Sequence, residues 1–269
     1  MPSGKKKYYQ IASLEKGVKI LELLAEQKAL TVTEVASALT INRAGSHRFL
    51  ATLRDLGYVE KNEENRYQLT FRIFEMGMKV ADRSDIRQEA HNYMREISVI
   101  FRETVNLGFW DGKDILHLDK IDSLEILRID APLGSKTPAY CTALGKAILA
   151  HLSPKELSAY LSRTRLVPHG PNTIVSKKKF REELKKIRQQ GYALDDEELA
   201  EGLRCIAAPI FDYTGQSRYA LSISSPTMRL PMDKVDKTHQ KVREVCNRLS
   251  LHLGYQPTSL SEQYSFKEG

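Results

Sequence analysis

Serine residues alternate with apolar residues in the segment YALSISS, residues 219–225. Successive side chains of a β-strand point to opposite faces, so Ala220, Ser222 and Ser224 would share one face of such a strand. Small hydroxyl side chains on an inward face leave room for a polar ligand and can exchange hydrogen bonds with it. The alternative is a sheet with one solvated face, on which serines are ordinary. The alternation therefore indicates either a ligand pocket or a wet surface.

Four consecutive acidic residues, Asp195 to Glu198, and the thiol of Cys205 suggest catalysis as an alternative. Paired carboxylates can transfer protons, and a thiol can act as a nucleophile when a base such as His151 or His169 takes its proton. Runs of acids more commonly form solvated turns, however, and Cys and His residues far apart in sequence are more commonly structural. The sequence therefore favours a protein that is not an enzyme, with no catalytic residues.

The three cysteines, Cys141, Cys205 and Cys246, are odd in number and far apart. This arrangement is typical of reduced thiols rather than of a disulfide framework. No pair of Cys or His residues has the spacing of a zinc finger, although His117, Cys141, His151 and His169 could still converge in the fold. We therefore expect neither a bound metal nor another cofactor.

The charge of the chain is unevenly distributed. Of the formal net charge of +7, residues 1–84 contribute +4, with 14 basic and 10 acidic side chains, which suggests an anionic partner for this region. No apolar run is long enough to span a bilayer, and the opening PSGKKKYYQ lacks the apolar core of a signal peptide. We therefore expect a cytoplasmic protein that does not contact a membrane.

A second group of residues with functional chemistry lies in INRAGSHRFLATLRDLGYV, residues 41–59. Helical spacing places Phe49, Leu50 and Leu53 on one side and polar or small residues on the other. A helix that reads DNA needs this division, because its back packs on other helices and its front enters the major groove. Any amphipathic surface helix shares the pattern, so neighbouring elements must decide. The candidate DNA-binding residues are Asn42, Arg43, Ala44, His47, Arg48 and, in the hairpin that follows, Arg66.

The neighbouring elements complete a DNA-binding module. Apolar residues at helical spacing predict a first helix capped by Ser13. Thr31 and Glu34 have the spacing of a capping box and begin a second helix, and Asn42 can cap the third, which ends at Gly57. β-prone residues at 58–60 and 67–69 then predict a hairpin. Three helices followed by a hairpin describe a winged helix-turn-helix.

The remaining chain alternates between strand and helix patterns, which predicts an α+β domain. An amphipathic helix from 70 to about 82 serves as connector, and Ser84 can cap the helix after it. Strand patterns occur in VNLGFW, ILHLDKI, LEILRID, CIAAPIFD and YALSISS. Helix patterns occupy 142–152, 154–162, 177–190 and about 232–253.

Several long motifs resemble the IclR family of bacterial transcription regulators over nearly the whole chain. They are HRFLATLRDLGYVEKNEENRYQLT at residues 47–70, KTPAYCTALGKAILAHL, GYALDDEELAEGLRCIAAPIFD and ALSISSPTMRL. The shorter runs YQLTFRIFEMG, MREIS and HLDKIDS are similar to the sugar-acid regulators of that family, which respond to acids such as 2-keto-3-deoxygluconate. One departure is Asn42-Arg43-Ala44-Gly45, where the family commonly opens the recognition helix with a Pro-Lys-Ser-Thr-like sequence. Arg43, His47 and Arg48 would then carry more of the DNA contact.

The resemblance implies a winged helix-turn-helix over 1–69, a connector helix over 70–83, a GAF-like effector-binding domain with an antiparallel sheet over 84–256, and a tail over 257–269. It also implies that Asp195, Leu203, Cys205, Ser222 and Ser224 line a pocket for a small carboxylate. A helix beginning near Thr142 would add the backbone N–H groups of Ala143, Leu144 and Gly145, which suit a carboxylate, although small residues there could simply allow tight packing.

Together these observations predict a ligand-responsive regulator, acting as a homodimer or a dimer of dimers on a roughly palindromic operator in double-stranded DNA. A repressor of sugar-acid catabolism genes is the leading interpretation, and aromatic or glyoxylate-like acids are alternative effectors. The rival hypothesis is a metabolic enzyme or sugar-acid binding protein with an accessory DNA-binding module.

Overall fold

The computed structural model describes residues 11–81 and 85–256. The chain divides into two compact units, residues 1–84 and 85–269, and each is described separately below. The cap expected at Ser84 and the tail expected from residue 257 lie outside the described residues.

Three helices form the body of the first unit: α1 (Ala12–Gln27), α2 (Val32–Ala38) and α3 (Arg43–Asp55). The capping box of Thr31 and Glu34 is confirmed, as is the cap of α3, where the side chain of Asn42 accepts a hydrogen bond from the N–H of Gly45 at 2.6 Å. The cap predicted at Ser13 is wrong, because the helix already begins at Ala12. The residue with extended backbone before it is Ile11, which has no side-chain acceptor.

A small antiparallel sheet completes this unit, with β1 (Ala29–Leu30), β2 (Val59–Lys61) and β3 (Tyr67–Leu69) in the order β1-β3-β2. The predicted hairpin is thus present, and Gly57 before it takes the left-handed backbone conformation (φ +78°) that ends the third helix. Strand β1 was not predicted, since two residues are too few to show an alternation. The core shared by helices and sheet includes Ile20, Leu24, Val35, Leu50, Leu53, Val59 and Tyr67.

The helix predicted as a connector is α4 (Arg72–Ala81). Phe71, just before it, and Phe74 contact each other edge to face, with ring centroids 6.4 Å apart. Both side chains are exposed within the first unit, at 83% and 61% of their surface.

A six-stranded antiparallel sheet forms the centre of the second unit, in the order β6-β5-β4-β9-β8-β7. Its strands are β4 (Thr104–Trp110), β5 (Asp114–Ile121), β6 (Lys136–Pro138), β7 (Ala193–Asp196), β8 (Leu203–Phe211) and β9 (Ser217–Pro226). The strand predicted in LEILRID, residues 124–130, is wrong, because this stretch is irregular and Leu124 and Ile126 are exposed. Strand β5, which precedes this stretch, already pairs with β4 on one side and with the unpredicted β6 on the other. Residues 124–130 therefore cannot pair with β5.

A bulge interrupts the pairing of β4 with β5. Leu107 lies opposite Asp119 and the next residue, Gly108, lies opposite His117, so Leu118 is the extra residue. His117 and Asp119 would share a face in a regular strand, but here they point to opposite faces. Asp119 faces the helical layer that includes α5 (Asp85–Phe101), where it pairs with His91 at 2.8 Å.

Helices cover both faces of the large sheet. Helix α5 and the long α9 (Met232–His252) pack on one face around Val105, Leu107 and Ile223. The other face carries a 3-10 turn (Ala139–Cys141), α6 (Ala143–Leu149), α7 (Pro154–Arg163) and α8 (Lys177–Gln190).

Two glycines let α6 approach its neighbours. A Cβ atom on Gly108 would lie 2.8 Å from Ile115 and 3.0 Å from Leu144, and one on Gly145 would lie 2.0 Å from the carbonyl oxygen of Ala139. A side chain at Gly145 therefore cannot be accommodated without moving backbone. No helix within the described ranges is long and apolar enough to cross a membrane.

Candidate functional site

The second unit contains a cavity of about 180 Å³ between the sheet and the beginning of α6. Every predicted effector residue except Gly145 lines it: Ala143, Leu144, Asp195, Leu203, Cys205, Ser222 and Ser224. The sequence analysis did not identify the rest of the lining, which comprises Asn106, His117, Ile129, Asp130, Ala131, Pro132, Ser135, Thr137, Thr142 and Leu199. The structure thus gathers residues from all six strands of the sheet, the beginning of one helix and two connecting segments around one space.

Strand register explains why distant parts of the chain meet at this cavity. Asp195 on β7 lies opposite Cys205 on β8, and Cys205 lies opposite Ser224 on β9. On the other side of β9, which pairs with β4, Ser222 lies opposite Asn106. Because alternate residues share a face, all of these side chains point toward α6. The serine alternation therefore faces an enclosed space rather than solvent.

Asn106, Cys205 and Ser224 are joined by hydrogen bonds. The Asn106 Nδ2 group donates to Ser224 Oγ at 3.2 Å, and the Cys205 thiol donates to the same oxygen at 3.2 Å. The other polar atom of the amide, Asn106 Oδ1, is buried and has no hydrogen-bond partner among the residues that the structure describes. A hydroxyl oxygen accepts about two hydrogen bonds, so the O–H of Ser224 remains available to a third group.

Asp195 is fully buried at the opposite end of this row. Its Oδ1 atom accepts hydrogen bonds from the backbone N–H groups of Glu198 at 2.8 Å and Leu199 at 3.3 Å, whereas Oδ2 has no partner within the described part of the chain. Burial raises the pKa of the Asp195 carboxyl to about 7. Near neutral pH the group is therefore divided between a charged acceptor and a neutral form that can donate a hydrogen bond.

His117 supplies a third buried polar atom without a partner. Its Nε2 atom lies 3.2 Å from the hydroxyl of Thr137, and its Nδ1 atom is unpaired. Burial, aided by the positive charge of Lys120, lowers the pKa of the His117 imidazole below its ordinary value. The ring is therefore neutral near pH 7 and can offer one N–H donor and one acceptor.

The beginning of α6 departs from the sequence prediction at Gly145. The hydroxyl of Thr142 accepts a hydrogen bond from the Gly145 N–H at 3.2 Å, so this N–H is already used as a helix cap. The tight contact of Gly145 with Ala139 also supports the packing interpretation for this residue. Among the three predicted N–H groups, those of Ala143 and Leu144 are left to a ligand.

The acidic run is not the solvated turn that the sequence suggested. Glu198 is buried and pairs with the buried ammonium of Lys146, which also donates to the Leu194 carbonyl at 2.5 Å. Asp196 accepts from the guanidinium of Arg204 at 2.5 and 2.8 Å. These acids stabilise the loop after β7. Sequence spacing could not show this, since Lys146 is 52 residues from its partner.

The histidines considered as catalytic bases do not meet the Cys205 thiol in the cavity. Complete burial raises the pKa of the Cys205 thiol, so it is not a thiolate. His151 contacts Phe211 and His169 contacts Tyr140, and neither imidazole lines the cavity. Within residues 11–81 and 85–256, no cluster of three or more His, Cys, Asp or Glu side chains is arranged to hold a metal ion.

The candidate DNA-binding residues lie mostly on the outer side of α3. Arg43, Ala44, His47 and Arg48 are exposed, whereas Leu50 and Leu53 face the core. Ser46, between these groups, is buried and donates a hydrogen bond to the Val32 carbonyl at 3.0 Å, which fixes α3 against α2. The front of the helix is thus polar and unobstructed within the first unit.

Two of the candidate DNA-binding residues have structural partners. The side chain of Asn42 caps α3. The guanidinium of Arg66 contacts both carboxylate oxygens of Glu34 at 2.8 Å, and its Nε donates to the Ala29 carbonyl at 3.3 Å. Arg66 therefore ties the hairpin to α2 and β1, and a DNA phosphate would have to share it with Glu34.

Comparison with known proteins assigns both units of the chain to one family. Residues 13–63 match the family model "IclR helix-turn-helix domain", and residues 78–251 match "Bacterial transcriptional regulator IclR C-terminal". The transcriptional regulator KdgR of Dickeya chrysanthemi is 36% identical over 91% of this chain and 81% of its own length. KdgR of Escherichia coli is 34% identical over 91% of this chain and 94% of its own.

A solved structure shows the same architecture. The crystal structure of the Thermotoga maritima IclR protein superimposes with a TM-score of 0.76, at 32% identity, over 91% of this chain and all of that one. The family models together span most of the chain, and the relatives align with nearly all of it. This chain belongs to the IclR family of bacterial transcriptional regulators.

Proposed function

We propose that this regulator binds a small carboxylate, with a sugar acid as the leading candidate, in the cavity beside α6, and that ligand binding weakens its hold on an operator. The observation that carries the proposal is the set of buried polar atoms without protein partners, Asn106 Oδ1, His117 Nδ1 and Asp195 Oδ2, around one space. Leaving such atoms unpaired costs about 1–3 kcal/mol each, so a ligand that satisfies them gains affinity.

The lining suggests how the acid is oriented. Its carboxylate would lie at the N–H groups of Ala143 and Leu144, where the positive end of α6 adds a small favourable term. The rest of the molecule would face Asp195, Ser222 and Ser224. Leu203 and Cys205 would contact its carbon chain, and Gly145 would act by letting α6 sit close to the 3-10 turn.

A polyhydroxy acid suits this wall because each hydroxyl both donates and accepts hydrogen bonds. The similarity to KdgR at 36% and 34% identity supports the same subgroup, since the motifs of this chain resemble the sugar-acid regulators of the family. Part of the lining is apolar, however, including Ile129, Leu144 and Leu199. That observation favours an aromatic acid as the second candidate.

For DNA, we propose that Arg43, His47 and Arg48 contact the operator from the front of α3. Asn42 and Ala44 would hold the beginning of α3 close to the sugar-phosphate backbone of the DNA, and Arg66 would approach a phosphate from the hairpin. A homodimer or dimer of dimers would place two such helices on a roughly palindromic site. Such a regulator would act in the cytoplasm, as a repressor.

The test combines two measurements on the full-length protein. Thermal unfolding is recorded with D-gluconate, 2-keto-3-deoxygluconate, 4-hydroxybenzoate and glyoxylate, and each stabilising acid is titrated by calorimetry. Fluorescence anisotropy with a promoter fragment then reports DNA affinity with and without that acid. We expect a sugar acid to raise the melting temperature and weaken DNA binding.

Two results would contradict the proposal. If no acid shifts the melting temperature, the cavity does not serve as the effector site. If NMR shows that a bound acid is converted to product, the rival hypothesis of an enzyme with an accessory DNA-binding module gains support.

A further inference from the structure

The strand β4 contributes one polar side chain to the cavity that the sequence did not identify. Asn106 is 2% exposed and lies between Thr104 and Gly108 on the face toward α6. Its Nδ2 group is used by Ser224, but its Oδ1 atom has no partner among the described residues. An amide oxygen buried in this way requires a donor, and the cavity is where one could come from.

Ser224 completes a pair with that oxygen. Its Oγ accepts hydrogen bonds from both Asn106 and Cys205, which uses the two lone pairs and leaves the hydroxyl hydrogen as the free function. Asn106 Oδ1 and the Ser224 O–H are therefore an acceptor and a donor held side by side by the hydrogen bond between their own residues. The bond to Cys205 fixes the same arrangement from the neighbouring strand.

We propose that Asn106 and Ser224 form a hydroxyl-reading pair, in which one ligand hydroxyl donates to Asn106 Oδ1 and accepts from Ser224. The inference rests on the proposed effector site and names the chemical group that it selects. A hydroxyl satisfies both atoms at once. A keto or carboxylate oxygen can only accept and leaves Asn106 Oδ1 unpaired, and a methylene satisfies neither atom.

The hydroxyl-reading pair predicts that discrimination against a deoxygenated acid depends on Asn106. D-gluconate and hexanoate make a suitable comparison, since both have six carbons and one carboxylate and they differ in hydroxyl groups. Calorimetry measures both dissociation constants for the wild type, Asn106→Leu and Asn106→Ala. Leucine is close in size to asparagine and alanine cannot clash, so at least one of the two variants should fold, as checked by circular dichroism.

We expect the wild type to bind gluconate more tightly than hexanoate. In the Asn106 variants the dissociation constant of hexanoate divided by that of gluconate should fall by about 2- to 12-fold for each hydrogen bond lost. The change should come from weaker gluconate binding, while hexanoate binding stays the same or tightens. Ser217→Ala is the matched control, because Ser217 lies on the same strand as Ser224 but outside the cavity lining.

Three results would overturn the inference. A wild type that binds both acids equally has no hydroxyl-reading pair. An unchanged ratio in the variants would show that Asn106 does not read a hydroxyl: it only supports the fold if both acids weaken equally, and it does not contact the ligand if neither affinity changes. If no acid binds the wild type in the wider screen either, the effector site itself is overturned and the pair falls with it.

Discussion

Helix α3 and the cavity of the second unit both present polar atoms that have no partner among the described residues, but water reaches only one of the two sets. Arg43 and Arg48 extend into solvent, so leaving them unpaired costs little. Asn106 and Asp195 are removed from water and still have an unpaired atom each. Substitutions at Arg43 and Arg48 should therefore leave stability unchanged, whereas the unpaired atoms of the cavity cost stability that the proposed ligand would restore on binding.

The largest effect is expected where a charge is placed behind α3. Leu53→Asp removes a core side chain, which costs about 2–5 kcal/mol in packing alone, and it also buries an unpaired carboxylate. The first unit should unfold while the second keeps its affinity for the effector. Circular dichroism and limited proteolysis report the first outcome and calorimetry the second.

Leu56→Asp is the control for this change, because Leu56 lies at the end of the same helix and is 52% exposed. It should leave the first unit folded. A folded first unit in Leu53→Asp would mean that the buried side of α3 is wrongly assigned.

The next effect concerns the cost of burying Asp195. Its pKa is raised from 3.8 to about 7 by burial, so its contribution to the free energy of unfolding is fully present below pH 4 and is lost as the pH rises toward 7. Within that window the contribution falls by up to about 1.4 kcal/mol per pH unit. In Asp195→Asn this part of the pH dependence should disappear.

Urea unfolding of the wild type and Asp195→Asn at pH 4.5, 5.5 and 6.5 measures this slope. Glu201→Gln, an exposed acid in the loop between β7 and β8, should keep the slope of the wild type. Identical slopes for the wild type and Asp195→Asn would show that Asp195 is not held in the neutral form by burial.

A smaller effect, confined to DNA binding, is expected at Arg48. Arg48→Ala should leave the melting temperature unchanged because the side chain is exposed. If Arg48 contacts a base, operator affinity falls by about 1–3 kcal/mol, and if it contacts a phosphate, the dependence of log affinity on log salt decreases by about one.

Fluorescence anisotropy over a range of salt concentrations distinguishes the two contacts. Arg54→Ala provides the comparison, since Arg54 lies on the same helix next to Asp55 and is not among the candidate contacts. Unchanged affinity at every salt concentration would remove Arg48 from the interface.

The smallest effect is expected at Ser222. Ser222→Ala should weaken the effector by about 0.5–1.5 kcal/mol through one lost hydrogen bond. Ser225→Ala, on the opposite face of β9, should not change it. Calorimetry with both variants decides whether the face assignment holds, and equal affinities would place Ser222 outside the contact.

Local patterns were enough to predict most of the first unit, apart from β1 and the beginning of α1, and much of the second. The capping box at Thr31, the cap at Asn42 and the turn at Gly57 each depend on residues within a few positions, so sequence spacing reveals them. The alternation of Ser222 and Ser224 likewise identified the face of β9 that meets the cavity. In all of these cases the neighbours in sequence are also the neighbours in space.

The missed residues depend on contacts between distant segments. Asn106 reaches the cavity because β4 pairs with β9 in one particular register, and the burial of Glu198 depends on Lys146. The irregular segment 124–130 has an apolar pattern typical of a strand, but both sides of the preceding strand β5 are already paired, with β4 and β6. Neither strand register nor the occupancy of sheet edges can be read from local spacing.

The bulge at Leu118 also makes this part of the gene sensitive to length. With Leu118 present, His117 faces the cavity and Asp119 faces the helical layer of α5. Deleting codon 118 alone would remove the bulge and keep His117 and Asp119 on their present faces, whereas inserting one codon elsewhere in β5 would exchange the faces of the residues on one side of the insertion. In a genetic screen for regulators that no longer respond to their effector, one-codon insertions in β5 should be recovered, whereas deletion of codon 118 should not.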